Sequence, residues 1–134
     1  MKTIVTSMLL LGLCAVGAQA GLGRTDSELE KRFGKSVRIV KNSRDPGTYY
    51  HHQGMTIVCQ MRGENRTCNE ILLIVSRKVS TGDAAMLATG VDWGRFWKNA
   101  TKSNGNDRIE RSDGTAYGII ERTENSTRIR LLPK

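Results

Sequence analysis

The two histidines of the chain stand side by side in Tyr49-Tyr50-His51-His52. Histidine is the side chain most often used as a general base or metal ligand near neutral pH. The segment around the pair reads as a strand, however, and neighbouring strand residues point to opposite faces. His51 and His52 therefore do not share one metal ion. No His-x-x-x-His, Cys-x-x-Cys or carboxylate cluster supplies further ligands, and the glycines are scattered at caps and turns rather than grouped into a phosphate loop. The sequence assigns no catalytic residue, no metal ligand and no cofactor.

A second stretch has binding chemistry. Asp92-Trp93-Gly94-Arg95-Phe96-Trp97-Lys98 holds both tryptophans and one of the two phenylalanines of a chain that is only 5% aromatic. On helical spacing Trp93, Phe96 and Trp97 share one face, and Arg95, Lys98 and Lys102 another. Rings beside a cationic rim suit contact with an anionic surface; the same rings suit a core. Trp93, Arg95, Trp97, Lys98 and Lys102 are the candidate binding residues. Arginines recur further on, at Arg108, Arg111, Arg122, Arg128 and Arg130, and the last two share a strand face. Only Tyr117 offers a stacking ring there, and Glu110, Glu121 and Glu124 are near, so nucleic acid is not the expected partner.

Residues 1–20 read as a cleavable secretory signal: Lys2, an apolar run over 4–13, and the small-x-small site Ala18-Gln19-Ala20. Bulky Leu13 precedes Cys14, which argues against a lipid anchor at that cysteine. No stretch reaches the roughly 20 apolar residues of a spanning helix, so a secreted or periplasmic location is expected. The net charge is +8, one unit of it from Lys2, and a basic chain favours anionic partners. In an oxidising compartment Cys59 and Cys68 are expected to pair as a disulfide. A two-residue turn at Gly63-Glu64 sets them opposite each other; a register that aligns Ile57 with Ile71 turns them to opposite faces and leaves two thiols. Asn65, Asn99 and Asn125 each begin an Asn-x-Ser/Thr sequon.

The elements that must carry these residues follow from local signals. Thr25 and Glu28 form a capping box for a helix through Phe33, stopped by Gly34. Strands are expected at 37–41, with Val37 and Ile39 inward, and at 48–52, 55–61 and 67–76. Met55, Ile57, Cys59 and Met61 alternate on one face. Ser80 and Asp83 open a second helix ending at Gly90. Residues 101–107 read as a loop. Strands at 108–111, 115–123 and 127–132 complete a meander, with a hairpin turn at Asp113-Gly114. The short turns between strands imply an α+β domain over residues 21–134: two short helices packed on an antiparallel sheet built from hairpins.

The opening Thr25-Asp26-Ser27-Glu28-Leu29-Glu30-Lys31-Arg32-Phe33-Gly34 resembles that of small exported bacterial proteins of uncharacterised function, as does the later Arg111-Ser112-Asp113-Gly114-Thr115-Ala116. More loosely, the layout is similar to that of outer-membrane assembly lipoproteins of the SmpA/OmlA type and of β-lactamase inhibitor proteins. The resemblance implies a helix-plus-antiparallel-sheet fold and carries over no functional residue. The expectation is an exported, non-enzymatic binding or envelope-associated module that holds a protein or an anionic surface through a strand edge or the Trp93–Trp97 segment. The alternative is a small basic exported enzyme or toxin acting on an anionic polymer, with His51 or His52 as base; a histidine paired with a carboxylate in a cleft would favour it.

Overall fold

A computed structural model describes residues 22–41, 46–93, 95–103 and 105–134. The expected signal segment and the first two residues of Arg44-Asp45-Pro46-Gly47, where a turn is expected, lie outside the described residues. The chain forms helix α1 (Asp26–Phe33), strands β1 (Arg38–Val40), β2 (Gly47–His52), β3 (Met55–Arg62) and β4 (Thr67–Val75), helix α2 (Thr81–Val91), and strands β5 (Trp97–Ser103), β6 (Asn106–Arg111), β7 (Ala116–Arg122) and β8 (Thr127–Pro133). All strand pairs are antiparallel, in the order β1-β2-β3-β4-β8-β7-β6-β5. Among the described residues, each half is one helix followed by four strands. The last strands of the two halves, β4 and β8, meet at the centre of the sheet.

Local chemistry explains the helices. The Glu28 amide donates to Thr25 Oγ1 at 3.4 Å and the Thr25 amide to Glu28 Oε1 at 3.2 Å, which satisfies backbone donors that a helix start leaves bare. Gly34 ends α1 with φ +89°, where a side chain is strained. Ser80 caps α2 by accepting from the Asp83 amide at 3.0 Å.

One core cluster lies between the helices and one face of the sheet. Leu29 and Phe33 of α1, and Ala84, Ala85, Ala88 and Val91 of α2, pack with Ile57, Met61, Ile71, Leu73, Ile109, Ile120, Ile129 and Leu131. Alanines on the buried side of α2 let it approach β5 and β6 closely.

Three expectations change. Val37 and Ile39 are not buried: they are 54% and 49% exposed, because α1 packs chiefly on β2 and leaves the three-residue edge strand β1 uncovered. Residues 97–103 are a strand, β5, paired with β6. Finally, the β3–β4 turn spans Gly63–Arg66 rather than two residues. Met61 faces Cys68 and Gln60 faces Glu70, so Asn69 is an extra residue in β4. That bulge restores the parity of the strand. It keeps Cys68 and Ile71 on the core side together, with Ile57 opposite Leu73 and Cys59 opposite Ile71.

Candidate binding surface

Both helices occupy one side of the sheet, and the other side carries no helix among the described residues. The strand register lays one row of side chains across that outer face: Arg38, Tyr49, Val58, Leu72, Arg130, Ile119 and Arg108. Ile74, Leu132 and Tyr117 extend the apolar strip in neighbouring rows. Leu72, Ile74, Ile119 and Leu132 are half-buried by their neighbours alone. The Arg38 guanidinium lies 5.6 Å from the Tyr49 ring centre and that of Arg108 4.3 Å from Tyr117, so each tyrosine presents a ring already paired with a cation. Tyr49 is the second stacking ring that sequence reading missed; only the register running from β2 through β3, β4 and β8 to β7 puts it on the same face as Tyr117.

Charge on this face is partly compensated. Arg130 pairs with Glu70 at 3.3 Å, Arg108 with Glu110 at 3.2 Å and Lys134 with Glu110 at 3.5 Å. Loss of water works to raise the Glu110 pKa, but Lys134 and Arg108 outweigh it and the carboxyl sits below its usual value. Arg38, Lys98 and Arg128 have no carboxylate partner among the described residues, which leaves the face positive.

The five candidate binding residues do not converge on one surface. Trp97 is only 6% exposed. Its Nε1 donates to Asp92 Oδ2 at 2.9 Å, and Arg111 Nη1 donates to the same oxygen at 3.2 Å. Arg111 reads from sequence as part of a basic sheet face, yet it is among the most deeply buried side chains and also bonds Asp113 and Thr115. Lost hydration works to raise the Asp113 pKa, and the hydrogen bonds from Thr115 and Arg111 reverse the sign and lower it. Trp93 follows α2 with φ +55°, a backbone conformation that bulky residues seldom adopt. Its half-buried ring meets the edge of Phe33 at 5.7 Å and the guanidiniums of Arg24 and Arg32 at 5.5 and 5.6 Å, tying the end of α2 to α1. Arg95 lies 3.7 Å from Asp113. Lys98 stands on the outer face, opposite Glu110. Lys102 lies 3.7 Å from Asp107, beside the start of α2. The segment is not helical, so Trp93, Phe96 and Trp97 do not share a face; Phe96 is 74% exposed.

The histidines part as strand geometry requires. His51 is exposed on the outer side, and His52 packs against Phe33 at 5.3 Å on the other. Among the described residues neither is bonded to a carboxylate. No group of three or more His, Cys, Asp or Glu residues able to hold a metal occurs among them either. A hollow of about 490 Å³ opens between Lys41, Pro46, Arg62 and Arg66, with no histidine in its lining. Cys59 and Cys68 are buried free thiols here, not a bridge. They are in contact, and the Cys68 thiol also faces the Glu70 carbonyl at 3.6 Å. Contact with Cys59 and then burial push its pKa up. The sequon asparagines Asn65, Asn99 and Asn125 are all exposed.

The molecule is thus an α+β protein with helices on one side of an eight-stranded antiparallel sheet and an open, positively charged face on the other. No helix among the described residues is long and apolar enough to cross a membrane. No protein-family model, no curated protein and no solved structure matches the chain.

Proposed function

We propose that the protein is an exported, non-enzymatic binding module that holds a protein partner against the open face of its sheet. One observation carries this reading: half-buried aliphatic residues, Leu72 and Ile74 of β4, Ile119 of β7 and Leu132 of β8, share the open face with Arg128 and Arg130 of the central strand β8, and Arg38 and Arg108 stand at the ends of the row. Apolar area interleaved with arginine suits an interface, in which burial supplies affinity and the arginines select charge. The partner surface this suits is acidic around an apolar patch.

The test compares immobilised wild type with Leu72→Asp/Ile119→Asp and with a helix-side control, Met86→Asp, all shown by circular dichroism to be folded. The probe is the exported protein fraction of the producing cell. A partner held by wild type and M86D, released by salt and lost from L72D/I119D, supports the reading. Equal retention on all three overturns the assignment to this face.

Export also carries a covalent expectation. With Cys59 and Cys68 in contact, thiol–disulfide exchange joins their sulfurs. Each thiol loses its proton, and two electrons pass to a small-molecule disulfide, which is reduced to two thiols. Closing this short loop adds roughly 2–3 kcal/mol. Intact mass before and after alkylation of the native exported protein checks this; two alkylated cysteines refute it.

A further inference from the structure

An open sheet has two outer strands, and the backbone groups along each outer side are free to pair with another chain. Here those strands are β1 and β5, and they differ. β5 has Lys98 and Lys102 and a register shift between Ala100 and Ser103, and shows no exposed aliphatic side chain. β1 and the residue just before it carry an apolar pair. Ile39 faces Thr48, whose hydroxyl bonds Asp26 of α1 at 2.7 Å, so Ile39 lies on the α1 side of the sheet, uncovered. Val37, two residues earlier, is equally uncovered. Around them stand Lys35, Arg38 and Lys41, all exposed and without an ion-pair partner among the described residues.

We infer that β1 is a strand-addition site that takes an extended acidic segment of a partner protein as a ninth strand. The occupant is set by charge. Pairing β1 with β1 of a second copy brings Lys35, Arg38 and Lys41 against their own equivalents, and pairing it with β5 brings them against Lys98 and Lys102; like charges across a strand pair are destabilising. The cations thus oppose self-assembly while the exposed Val37 and Ile39 still reward a strand of opposite charge. A segment alternating acidic and aliphatic residues fits both sides at once, aliphatic against Val37 and Ile39 and acidic toward Arg38. The inference rests on the reading of the protein as a binding module but uses a different surface from the open face.

The probe is a short fluorescein-labelled peptide of alternating glutamate and valine, followed by fluorescence anisotropy at low salt. The comparators are the same peptide N-methylated at alternate amides and a lysine–valine peptide. Saturable binding of the glutamate peptide is expected, weakened by salt and lost with the lysine peptide. N-methylation, which removes the ladder donors, lowers affinity at least about tenfold. So does Val37→Lys/Ile39→Lys, although it adds cations; both positions are surface sites and the variant folds. L72D/I119D leaves peptide binding unchanged. No saturable binding, or equal binding of the N-methylated peptide or of V37K/I39K, overturns the strand-addition site. Loss with L72D/I119D instead moves the contact to the open face, so the binding-module reading stands while this inference fails. A wild-type dimer abolished in V37K/I39K makes a second copy the occupant and overturns the acidic partner.

Discussion

Asp92, Trp97 and Arg111 behave as a unit. Asp92 Oδ2 takes hydrogen bonds from Trp97 Nε1 and Arg111 Nη1, and both members of the ion pair are almost wholly buried. Removing one partner of a buried pair strands the other charge, so Arg111→Met is expected to cost about 3–5 kcal/mol in urea melts. Trp97→Ala is expected to cost about 3–5 kcal/mol as a large-to-small core change. If Trp97 instead anchored the protein to an anionic surface, the same change would leave stability intact and weaken vesicle co-sedimentation. Gly118 of β7 is closely packed: a Cβ there would lie 2.8 Å from Ile109 Cγ1 and 3.0 Å from Leu131 Cδ2. Gly118→Ala is therefore expected to destabilise by about 1–3 kcal/mol through overpacking, the reverse of the usual gain from replacing a strand glycine. An unchanged or raised melting midpoint would contradict the packing described.

The elements were legible in proportion to how local their causes are. A capping box, a serine cap and a glycine stop act within four residues, so both helices are readable from Thr25, Glu28, Gly34 and Ser80. Removing the caps tests this directly: Thr25→Ala and Ser80→Ala are each expected to cost about 1 kcal/mol, with equilibrium unfolding as the measure. Strand β5 was illegible because Trp97-Lys98-Asn99-Ala100-Thr101-Lys102-Ser103 has no apolar alternation. It is a strand because β6 offers it a ladder, and an edge strand needs only one apolar anchor, here Trp97. The same non-local cause left Val37 and Ile39 misread: their alternation is real, but whether an alternating face is covered depends on where a helix lands. The disulfide question turned on Asn69, since one extra residue in β4 decides which side Cys68 faces.

Over the whole molecule, carboxylates hold strands and helices together. Asp107 is kept below its usual pKa first by the hydrogen bond from Arg122 and then by that from Thr81, joining β6 and β7 to the start of α2. Glu28 is lowered chiefly by Arg24, and Glu110 and Asp113 are lowered as well. Because folded pKa values lie below unfolded ones, the unfolded chain binds more protons through the acid range. The stabilisation is complete above the ordinary carboxylate values and is lost as pH falls through the lower folded ones. The melting temperature is therefore expected to drop below about pH 4, as thermal melts across an acid series would show; a melting point that holds or rises on acidification would contradict this sign.

By itself the sequence determined the class: capped helices, turns at glycine and asparagine, and strand alternation are set by contacts a few residues apart, and they compose an α+β domain of hairpins. The tertiary structure alone decided which charged and aromatic residues face water. Arg111 and Arg108 lie three residues apart in one strand, yet one is sealed in the core beside Asp92 and the other lies over Tyr117 on the outer face. Trp93 and Trp97 share one segment, and one joins two helices while the other is buried beside Asp92 and Arg111. The reason is that a helix can cover only one side of a sheet. Which side, and how far toward the edge, is set by packing between residues distant in the chain. The open face and the uncovered edge of β1 are what that packing leaves over.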